Sequence, residues 1–377
     1  MENQTELYKI AAAYLHGFKK SKLKILLKRI GSLDSIFEYS YSKLEDASGL
    51  SLDILKKTER EKALKQAQLN LEFNQLHDIR SLFYTDNAYP YQLKECKDGP
   101  VQLNILGKLN LQNKKIVSVV GTRKSSPASK QIVEQLISSL KGSGVLVVSG
   151  LASGIDTLVH QYCIKHKVPT IAILGHGLKM IYPRENRTLA KEIIASGGAL
   201  ISEFYFNQKP SKYTFPQRNR IIAGVADATI VIESPLKGGS MITARLANSY
   251  SREVMAFPNS ITQNDLAGCN QLIKTNLAHI ITAPSDLFEL MNWKINPQEE
   301  DEDEDEEDED EEEISHLTLS TEERDLMQTI KEHKEVHIDR LFDSSQLHPS
   351  IVQSLLMQLE LKNYILNSSG LFYSSRV

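Results

Sequence analysis

Ile116-Val117-Ser118-Val119-Val120-Gly121-Thr122-Arg123-Lys124-Ser125-Ser126-Pro127 is the stretch that decides the fold. It reads as a short β-rich run that ends on a glycine, passes through a small polar turn and enters a helix. The same pattern recurs downstream. The runs VLVVS (145–149), TIAIL (170–174), ALIS (199–202), ATIVIE (228–233) and VMAF (254–257) are short and apolar, and helix-length segments separate most of them. Such alternation predicts a parallel sheet covered on both faces. Right-handed crossovers then make it a doubly wound, Rossmann-like α/β fold. Ligands on these sheets bind at the carboxyl ends of the strands, so the loops after the strands are where function is expected.

Those loops share a chemistry. Gly121 permits close backbone approach, the helix behind it offers free N–H groups, and Arg123 is a fork suited to phosphate. An ordinary tight turn with a surface arginine is the alternative. Ser149-Gly150-Leu151-Ala152-Ser153-Gly154-Ile155-Asp156 forms a second phosphate-sized nest. Asp156 and His160 admit an acid–base reading, but no nucleophile accompanies them, and helix capping or loop bracing is the simpler role. Gly175-His176-Gly177-Leu178-Lys179-Met180 has methionine where a dinucleotide fingerprint needs its third glycine, and no P-loop signature occurs. The fourth loop interleaves Phe204, Tyr205, Phe206, Tyr213 and Phe215 with Lys209, Lys212, Arg218 and Arg220. Rings that stack bases beside cations that track a backbone suit a single nucleic-acid strand, although at least two of the rings are expected in the core. Lys237-Gly238-Gly239-Ser240 opens a further helix with another anion-compatible turn.

The net charge of −4 conceals a basic body. Residues 299–313 are fifteen consecutive Asp or Glu; without them 44 basic residues face 33 acidic ones, a surplus of +11. Between residues 116 and 258 there are 17 Lys and Arg against 8 Asp and Glu, a surplus of +9. A polyanion partner and solvated surface lysine are both compatible with that surplus. Cys96, Cys163 and Cys269 lie far apart, which argues against a zinc site or disulfide framework and fits a reduced, cytoplasmic setting. No stretch approaches the ~20 apolar residues of a membrane span, and the first residues do not read as a secretory signal.

The flanks divide into modules. Residues 1–85 read as a helical module with little strand signal, punctuated by Gly17, Gly31 and Gly49, with a basic amphipathic run at 22–30. The α/β domain is expected over 86–293 and a disordered acidic linker over 294–315. That linker is either a solvated spacer or a competitor for the basic groove. Residues 316–377 read as three helices and a terminal hairpin around Ser368-Ser369-Gly370, the order of a winged helix. Ser320 and Glu323 form a capping box at its start.

These residues resemble the DNA-processing protein A (DprA/Smf) family. The matching blocks are Val120-Gly121-Thr122-Arg123, then Ser149-Gly150 through Gly154-Ile155-Asp156 with His160, then Gly177-Leu178 with Tyr182-Pro183 and Asn186. The most specific is Phe215-Pro216-Gln217-Arg218-Asn219-Arg220-Ile221-Ile222-Ala223-Gly224, followed by Gly239-Ser240-Met241-Ile242-Thr243-Ala244. Gly268 and Asn270 then precede Leu272-Ile273. The resemblance implies an extended Rossmann domain that binds single-stranded DNA regardless of sequence and loads RecA recombinase onto incoming DNA in natural transformation. It implies a mediator rather than an enzyme, with no cofactor, metal or catalytic residue. Carried over by position, Arg123, Arg184, Lys212, Arg218 and Arg220 look like phosphate contacts; Gly121, Ser149, Gly150, Lys179, Asn186, Phe215, Asn219 and Ser240 are expected to contact DNA beside them. It also implies a homodimer through about residues 270–281, with Leu272, Ile273, Leu277 and Ile280 at the interface. RecA and a single-strand-binding protein are the expected partners. Two departures stand out: Lys179 replaces an aspartate, and Phe204-Tyr205-Phe206 replaces a Pro-Gly stretch.

Two other functions compete. A nucleotide-processing phosphoribohydrolase would need a glutamate that Gly238-Gly239-Ser240-Met241-Ile242-Thr243-Ala244-Arg245 does not supply. A duplex-DNA regulator would read the major groove with the third helix of the winged helix, but residues 350–362 hold one basic residue, Lys362. A protein–protein role suits that domain better.

Overall fold

The run Val145–Ser149 is buried throughout, and its side chains alternate between two cores: Leu146 and Val148 on one face, Val145 and Val147 on the other. That period of two, with both faces apolar, makes it an interior strand. The computed structural model describes residues 2–15, 20–48, 56–108, 111, 114–262, 266–293, 320–331, 333, 336–345, 347–361, 364–368 and 372–375. The chain forms two units, Met1–Gln298 and Glu299–Val377.

The first unit begins with α1 (Glu2–Tyr14), α2 (Lys20–Ile30), α3 (Asp34–Glu38), α4 (Tyr41–Ser48) and α5 (Lys57–Leu76). It continues with β1 (Arg80–Phe83), α6 (Tyr91–Glu95), β2 (Gln102–Gly107), β3 (Lys115–Val120), α7 (Pro127–Ser138), β4 (Val145–Ser149) and α8 (Ile155–Lys165). Then come β5 (Thr170–Ile173), α9 (Arg187–Ala195), β6 (Ala199–Ser202), α10 (Thr214–Val225) and β7 (Ala228–Val231). It ends with α11 (Gly239–Ser249), β8 (Glu253–Ala256), α12 (Gly268–Lys274), β9 (His279–Ile280) and α13 (Ser285–Leu290). All six expected strands are present to within two residues at each end. Gly31, at φ +84°, ends α2 as the sequence suggests, whereas Gly17 and Gly49 lie outside the described residues.

The nine strands form one sheet in the order β1-β2-β6-β5-β4-β3-β7-β8-β9. From β6 to β9 all neighbours are parallel; β1 and β2 add an antiparallel margin. The chain leaves β3 toward β4 on one side and returns to its other side as β7. The strand order therefore reverses between β3 and β7, where a doubly wound sheet opens a crevice.

The sheet starts earlier in the sequence than expected. β1 and β2 precede residue 115, and β1 falls within the segment expected to be purely helical. The reason is polarity. Gln102 and Asn104 are buried in β2, where Gln102 Nε2 and Ser81 Oγ both donate to Asn104 Oδ1 at 2.9 and 3.0 Å. Asn74 of α5 donates to Ser81 Oγ at 2.9 Å. A strand that alternates buried amides, Gln102 and Asn104, with Leu103 and Ile105 carries no continuous apolar run to read.

Helices α1–α5 close around their own core, which includes Ile10, Leu23, Leu26, Ile36, Leu44 and Ala67. The loop after β6 joins this module to the sheet. Phe206 stacks on Phe73 of α5 with centroids 4.5 Å apart, Tyr205 meets Tyr14 of α1 edge-on at 5.7 Å, and Phe206 N–H donates to Asn70 Oδ1 at 3.0 Å.

The second unit contains helices Thr321–Lys331, Ile338–Ser345 and Pro349–Leu361, with β10 (Val336–His337), β11 (Ile365–Ser368) and β12 (Phe372–Ser375) in the order β10-β12-β11. This is a winged helix. Its capping box is reciprocal: Ser320 N–H donates to Glu323 Oε2 at 2.8 Å, and Glu323 N–H to Ser320 Oγ at 3.2 Å. The acidic run 299–313, Lys362 and the turn residues Ser369 and Gly370 lie outside the described residues. No described helix is long and apolar enough to cross a membrane.

Candidate nucleic-acid interface

A cleft of about 620 Å³ opens at the carboxyl edge of the sheet between β3 and β7. Its walls are the turn after β3 (Gly121, Thr122, Arg123), the start of α11 (Gly238, Gly239, Ser240) and the first turns of α10 (Phe215, Arg218, Asn219), with Asp156 and Lys212 at the margins.

Close packing of the turns explains their glycines. A Cβ on Gly121 would run into Ile155, and one on Gly154, whose φ is +80°, into the backbone of Thr122 and Arg123. The turns after β3 and β4 are thus pressed together, and Ile155 N–H donates to Thr122 O at 3.1 Å. Buried Glu233 fastens the outer loop at two points. Its carbonyl accepts from Thr122 N–H at 2.7 Å and its carboxylate from Ser126 N–H at 3.0 Å. Ser126 caps α7 through Ser129 N–H. Arg123 and Lys124 are carried outward on this fixed loop, exposed and without an ion-pair partner among the described residues.

The structure separates the expected contact residues into two groups. Arg123, Lys179, Arg184 and Lys212 are exposed, and none forms an ion pair among the described residues. The Arg123 guanidinium lies 5.3 Å from the centre of the half-buried Phe215 ring, and Lys179 Nζ lies 5.7 Å from that of Phe206. Tyr213 is 68% exposed, with Lys212 Nζ 5.1 Å from its ring centre; Tyr182 is 46% exposed and tilts against Phe215 at 6.0 Å. Neither tyrosine was among the expected contacts, although each adjoins an expected one. Asn219 lines the cleft and donates to Gly239 O at 3.3 Å, which holds the start of α11 in place. Ser240 also lines it, with its hydroxyl 2.7 Å from that of Ser234.

The second group is engaged within the protein, which corrects three expectations, Ser149, Asn186 and Arg220, and qualifies a fourth, because Arg218 lines the cleft but is held by backbone carbonyls. Ser149 donates its hydroxyl to Val119 O at 2.7 Å and is buried. Asn186 is buried and donates to Leu151 O and Thr157 Oγ1, both at 2.9 Å, tying together the loops after β4 and β5. Arg220 pairs with Glu203 and also donates to Asp98 O, away from the cleft. Arg218 is only 4% exposed, and its Nη1 donates to Gly150 O at 2.5 Å and to Ile173 O at 2.7 Å. Gly150 is needed for this arrangement, because a Cβ there would fall between the Arg218 guanidinium and the Asp156 carboxylate. Ser149, Asn186 and Arg218 brace the loops that carry the exposed cations, whereas Arg220 is held away from the cleft.

Electrostatics agrees with a bracing role for Asp156 and His160. Burial raises the Asp156 carboxyl above its usual range, opposed by Arg218 and by the Ala152 N–H it accepts. Burial, reinforced by Arg218, lowers His160 to about 3, so it is neutral near pH 7. Because Thr170 donates its hydroxyl to Val147 O, it must accept from His160 Nδ1–H, at 2.9 Å. His176 is neutral for the same reason of burial and pins the loop after β5: Tyr182 N–H donates to its Nε2 at 3.2 Å and its Nδ1–H to Gly177 O at 3.0 Å. No described cluster of His, Cys, Asp or Glu could hold a metal ion.

The expected interface residues also divide. Leu272 is 1% exposed and belongs to the sheet core, which corrects that expectation; Ile273 and Leu277 are partly buried against the same core. Ile280 is 53% exposed on the edge strand β9.

Comparison with known proteins gives a consistent result. The profile of the family DNA recombination-mediator protein A matches residues 80–292, and that of the DprA winged helix domain matches residues 298–370. Protein Smf of Synechocystis sp. is 30% identical over all of this chain and all of its own length. DNA processing protein DprA of Streptococcus pneumoniae is 37% identical over 61% of this chain and 79% of its own. The X-ray structure of the Streptococcus pneumoniae protein superposes with a TM-score of 0.64 at 31% identity, covering 78% of this chain and 98% of that one. DNA processing protein A from Helicobacter pylori, whose structure is described for its single-stranded DNA binding mode, superposes at 0.52 and 30% identity over 57% of this chain and 97% of that one.

Proposed function

Because the chain belongs to the DNA recombination-mediator protein A family, we propose that it binds single-stranded DNA at the β3/β7 cleft without regard to sequence and acts as a recombination mediator rather than an enzyme. One observation carries this reading: Arg123, Lys179, Arg184 and Lys212 are exposed and free of ion pairs among the described residues, and Arg123 and Lys212, which line the β3/β7 cleft, stand beside the rings of Phe215 and Tyr213. Cations beside rings bind a flexible strand through its phosphates and the faces of its bases. The description of the Helicobacter pylori relative, given for its single-stranded DNA binding mode, supports the same ligand here. Asp156, the carboxylate at the cleft margin, accepts Ala152 N–H and is held for bracing rather than proton transfer.

The mediator role that follows is the loading of RecA recombinase onto incoming DNA during natural transformation, in a reduced cytoplasmic setting and with single-strand-binding protein as the competitor to be displaced. Self-association through the β9 edge, around Leu277 and Ile280, fits the exposure of Ile280. The winged helix is read as a protein-docking module. Ile351, Gln353, Ser354, Met357 and Gln358 on its third helix are exposed, and residues 349–361 contain no basic residue with which to enter a major groove.

The test is titration of a labelled oligonucleotide at several salt concentrations with wild-type protein and the Arg123→Ala/Lys212→Ala variant. Each neutralised phosphate contributes about −0.7 to the log–log salt slope on a single strand. The wild type is expected to show a steep slope, and the variant one shallower by about 1.4 at unchanged thermal stability. A flat wild-type slope, or full binding by the variant, refutes the reading.

A further inference from the structure

The helical module carries a second cationic surface, away from the cleft. Helix α2 contains Lys20, Lys22, Lys24, Lys28 and Arg29 in eleven residues and no acid. Its apolar side is spent inside the module, with Leu23 and Leu26 fully buried. Its outer side presents Lys24 and Lys28 beside the exposed Ile25, and Lys22 is exposed on the flank of the same helix. At about 1.5 Å per residue these three cations lie within about 9 Å along the helix. Arg29 is occupied, donating to Ser48 O. Lys22, Lys24 and Lys28 have no hydrogen-bond or ion-pair partner among the described residues.

This arrangement is unfavourable for the isolated chain. Lys24 and Lys28 stand at i, i+4, the spacing at which like charges repel. Lys22 stands in the first turn, where the helix dipole disfavours cations and where α2 has no acid to offset it. Nothing described within the fold relieves either strain. We infer that the outer face of α2 binds backbone phosphates of nucleic acid, taking the part of a DNA strand that runs beyond the β3/β7 cleft.

Position and chemistry favour that partner. The module is docked through Phe206 on the loop that follows β6, at the same carboxyl edge of the sheet that carries the cleft, so a strand leaving the cleft toward β6 meets the module. A membrane surface fits less well, because an interfacial helix turns its wide apolar face outward, whereas here that face is buried and Ile25 is the one large hydrophobic exposed among cations. The inference rests on the cleft being a single-strand site, and the experiment separates the two.

The full-length protein and the Lys22→Gln/Lys24→Gln/Lys28→Gln variant are titrated with an oligonucleotide of roughly ten nucleotides, about one site's worth, and with one several times longer. All three side chains are exposed, so the variant is expected to melt at or above the wild-type temperature. Affinity for the short strand is expected to be unchanged. Affinity for the long strand is expected to fall about tenfold at low salt, with the log–log salt slope shallower by about 2, three contacts at about 0.7 each. Equal affinity and slope on the long strand overturn the inference, as does an equal loss on both lengths, which would make the lysines part of the general field of the cleft. Loss of binding to phosphatidylserine vesicles with long-strand binding intact would also overturn it, in favour of a lipid surface. Arg123→Ala/Lys212→Ala serves as the control: if it binds both lengths fully, the cleft reading fails while the α2 result stands on its own.

Discussion

Replacing Arg218 by alanine should damage the fold far more than it damages a DNA contact. Its guanidinium is buried and donates to two carbonyl oxygens, Gly150 O and Ile173 O, at 2.5 and 2.7 Å. Hydrogen bonds from a charged donor contribute about 1.5–3 kcal/mol each. Removal also strips the buried Asp156 of the cation that opposes its desolvation, and breaking a buried charge arrangement costs about 3–5 kcal/mol in all. At roughly 2–4 °C per kcal/mol for a unit of this size, the melting temperature should fall by about 6–20 °C. The deficit should depend on pH. Asp156 has a raised folded-state value, so its contribution is greatest at low pH and is lost as pH rises through that value. Without Arg218 the value rises further, and the deficit should therefore be larger at pH 7 than at pH 5. Trp293, the sole tryptophan, packs against the core on the α7 and α8 side and reports unfolding of this unit by fluorescence in urea. The opposite pattern is expected of Arg123→Ala, which should lose affinity at unchanged stability. An Arg218→Ala protein within about 1 kcal/mol of wild type that nonetheless fails to bind DNA would refute the bracing role.

Three further outcomes follow from the same geometry. His160, depressed to about 3, contributes stability that is present above the unfolded value near 6.5 and falls by up to about 1.4 kcal/mol per pH unit below it; urea titrations at pH 7 and 5 should show a flatter acid limb for His160→Gln, and an unchanged limb rules His160 out as its source. Phe206→Ala and Phe73→Ala, in a double-mutant cycle followed by thermal melting, should give a coupling of about 0.5–1.5 kcal/mol from their stacked rings, and strict additivity would contradict the docking contact. Glu233→Gln keeps an acceptor for Ser126 N–H and removes a negative charge, so it should bind oligonucleotide as tightly as wild type or a few-fold tighter, whereas Glu233→Ala should bind more weakly because the Arg123 loop loses its clasp; equal binding by the two variants removes the clasp from the explanation.

The parallel strands β3 to β8 were legible because each is a largely buried apolar run, and the winged helix because its capping box and terminal hairpin are local features. β1 and β2 were not, since Ser81, Gln102 and Asn104 interrupt their apolar residues and are hydrogen-bonded to one another and to Asn74 of α5. At the site, the sequence located the loops but not the direction of each side chain. Arg218 and Arg220 show why. Residues two apart on a helix point about 200° apart at 3.6 residues per turn, so an Arg-Asn-Arg run on α10 cannot send both cations into one cleft. One reaches under the sheet edge to Gly150 and Ile173, and the other leaves the cleft for Glu203 and Asp98. The aromatic triplet 204–206 had the same ambiguity. Its rings adjoin cations in sequence as a base-stacking platform would, yet Tyr205 and Phe206 are taken up by Tyr14 and Phe73, residues more than 130 positions away.

Charge placement decides between the two meanings of the basic surplus. Surface lysines kept only for solubility are interspersed with acids, so that both signs meet across the surface. Here half of the eight acids of residues 116–258 have work inside the scaffold. Asp156 accepts Ala152 N–H, Glu203 pairs with Arg220, Asp227 accepts Ile116 N–H, and Glu233 accepts Ser126 N–H. Glu134 and Glu253 pair with Lys165 and His279, away from the cleft. Among the described residues no acid forms an ion pair with Arg123, Lys179, Arg184 or Lys212. A set of carboxylates turned onto backbone N–H groups and structural arginines leaves the loop cations uncompensated at the one edge of the sheet where its topology opens a crevice. Random surface charge has no reason to segregate in that way. A site whose ligand brings its own negative charge does, because each carboxylate beside the cleft would compete with the ligand for the same cations.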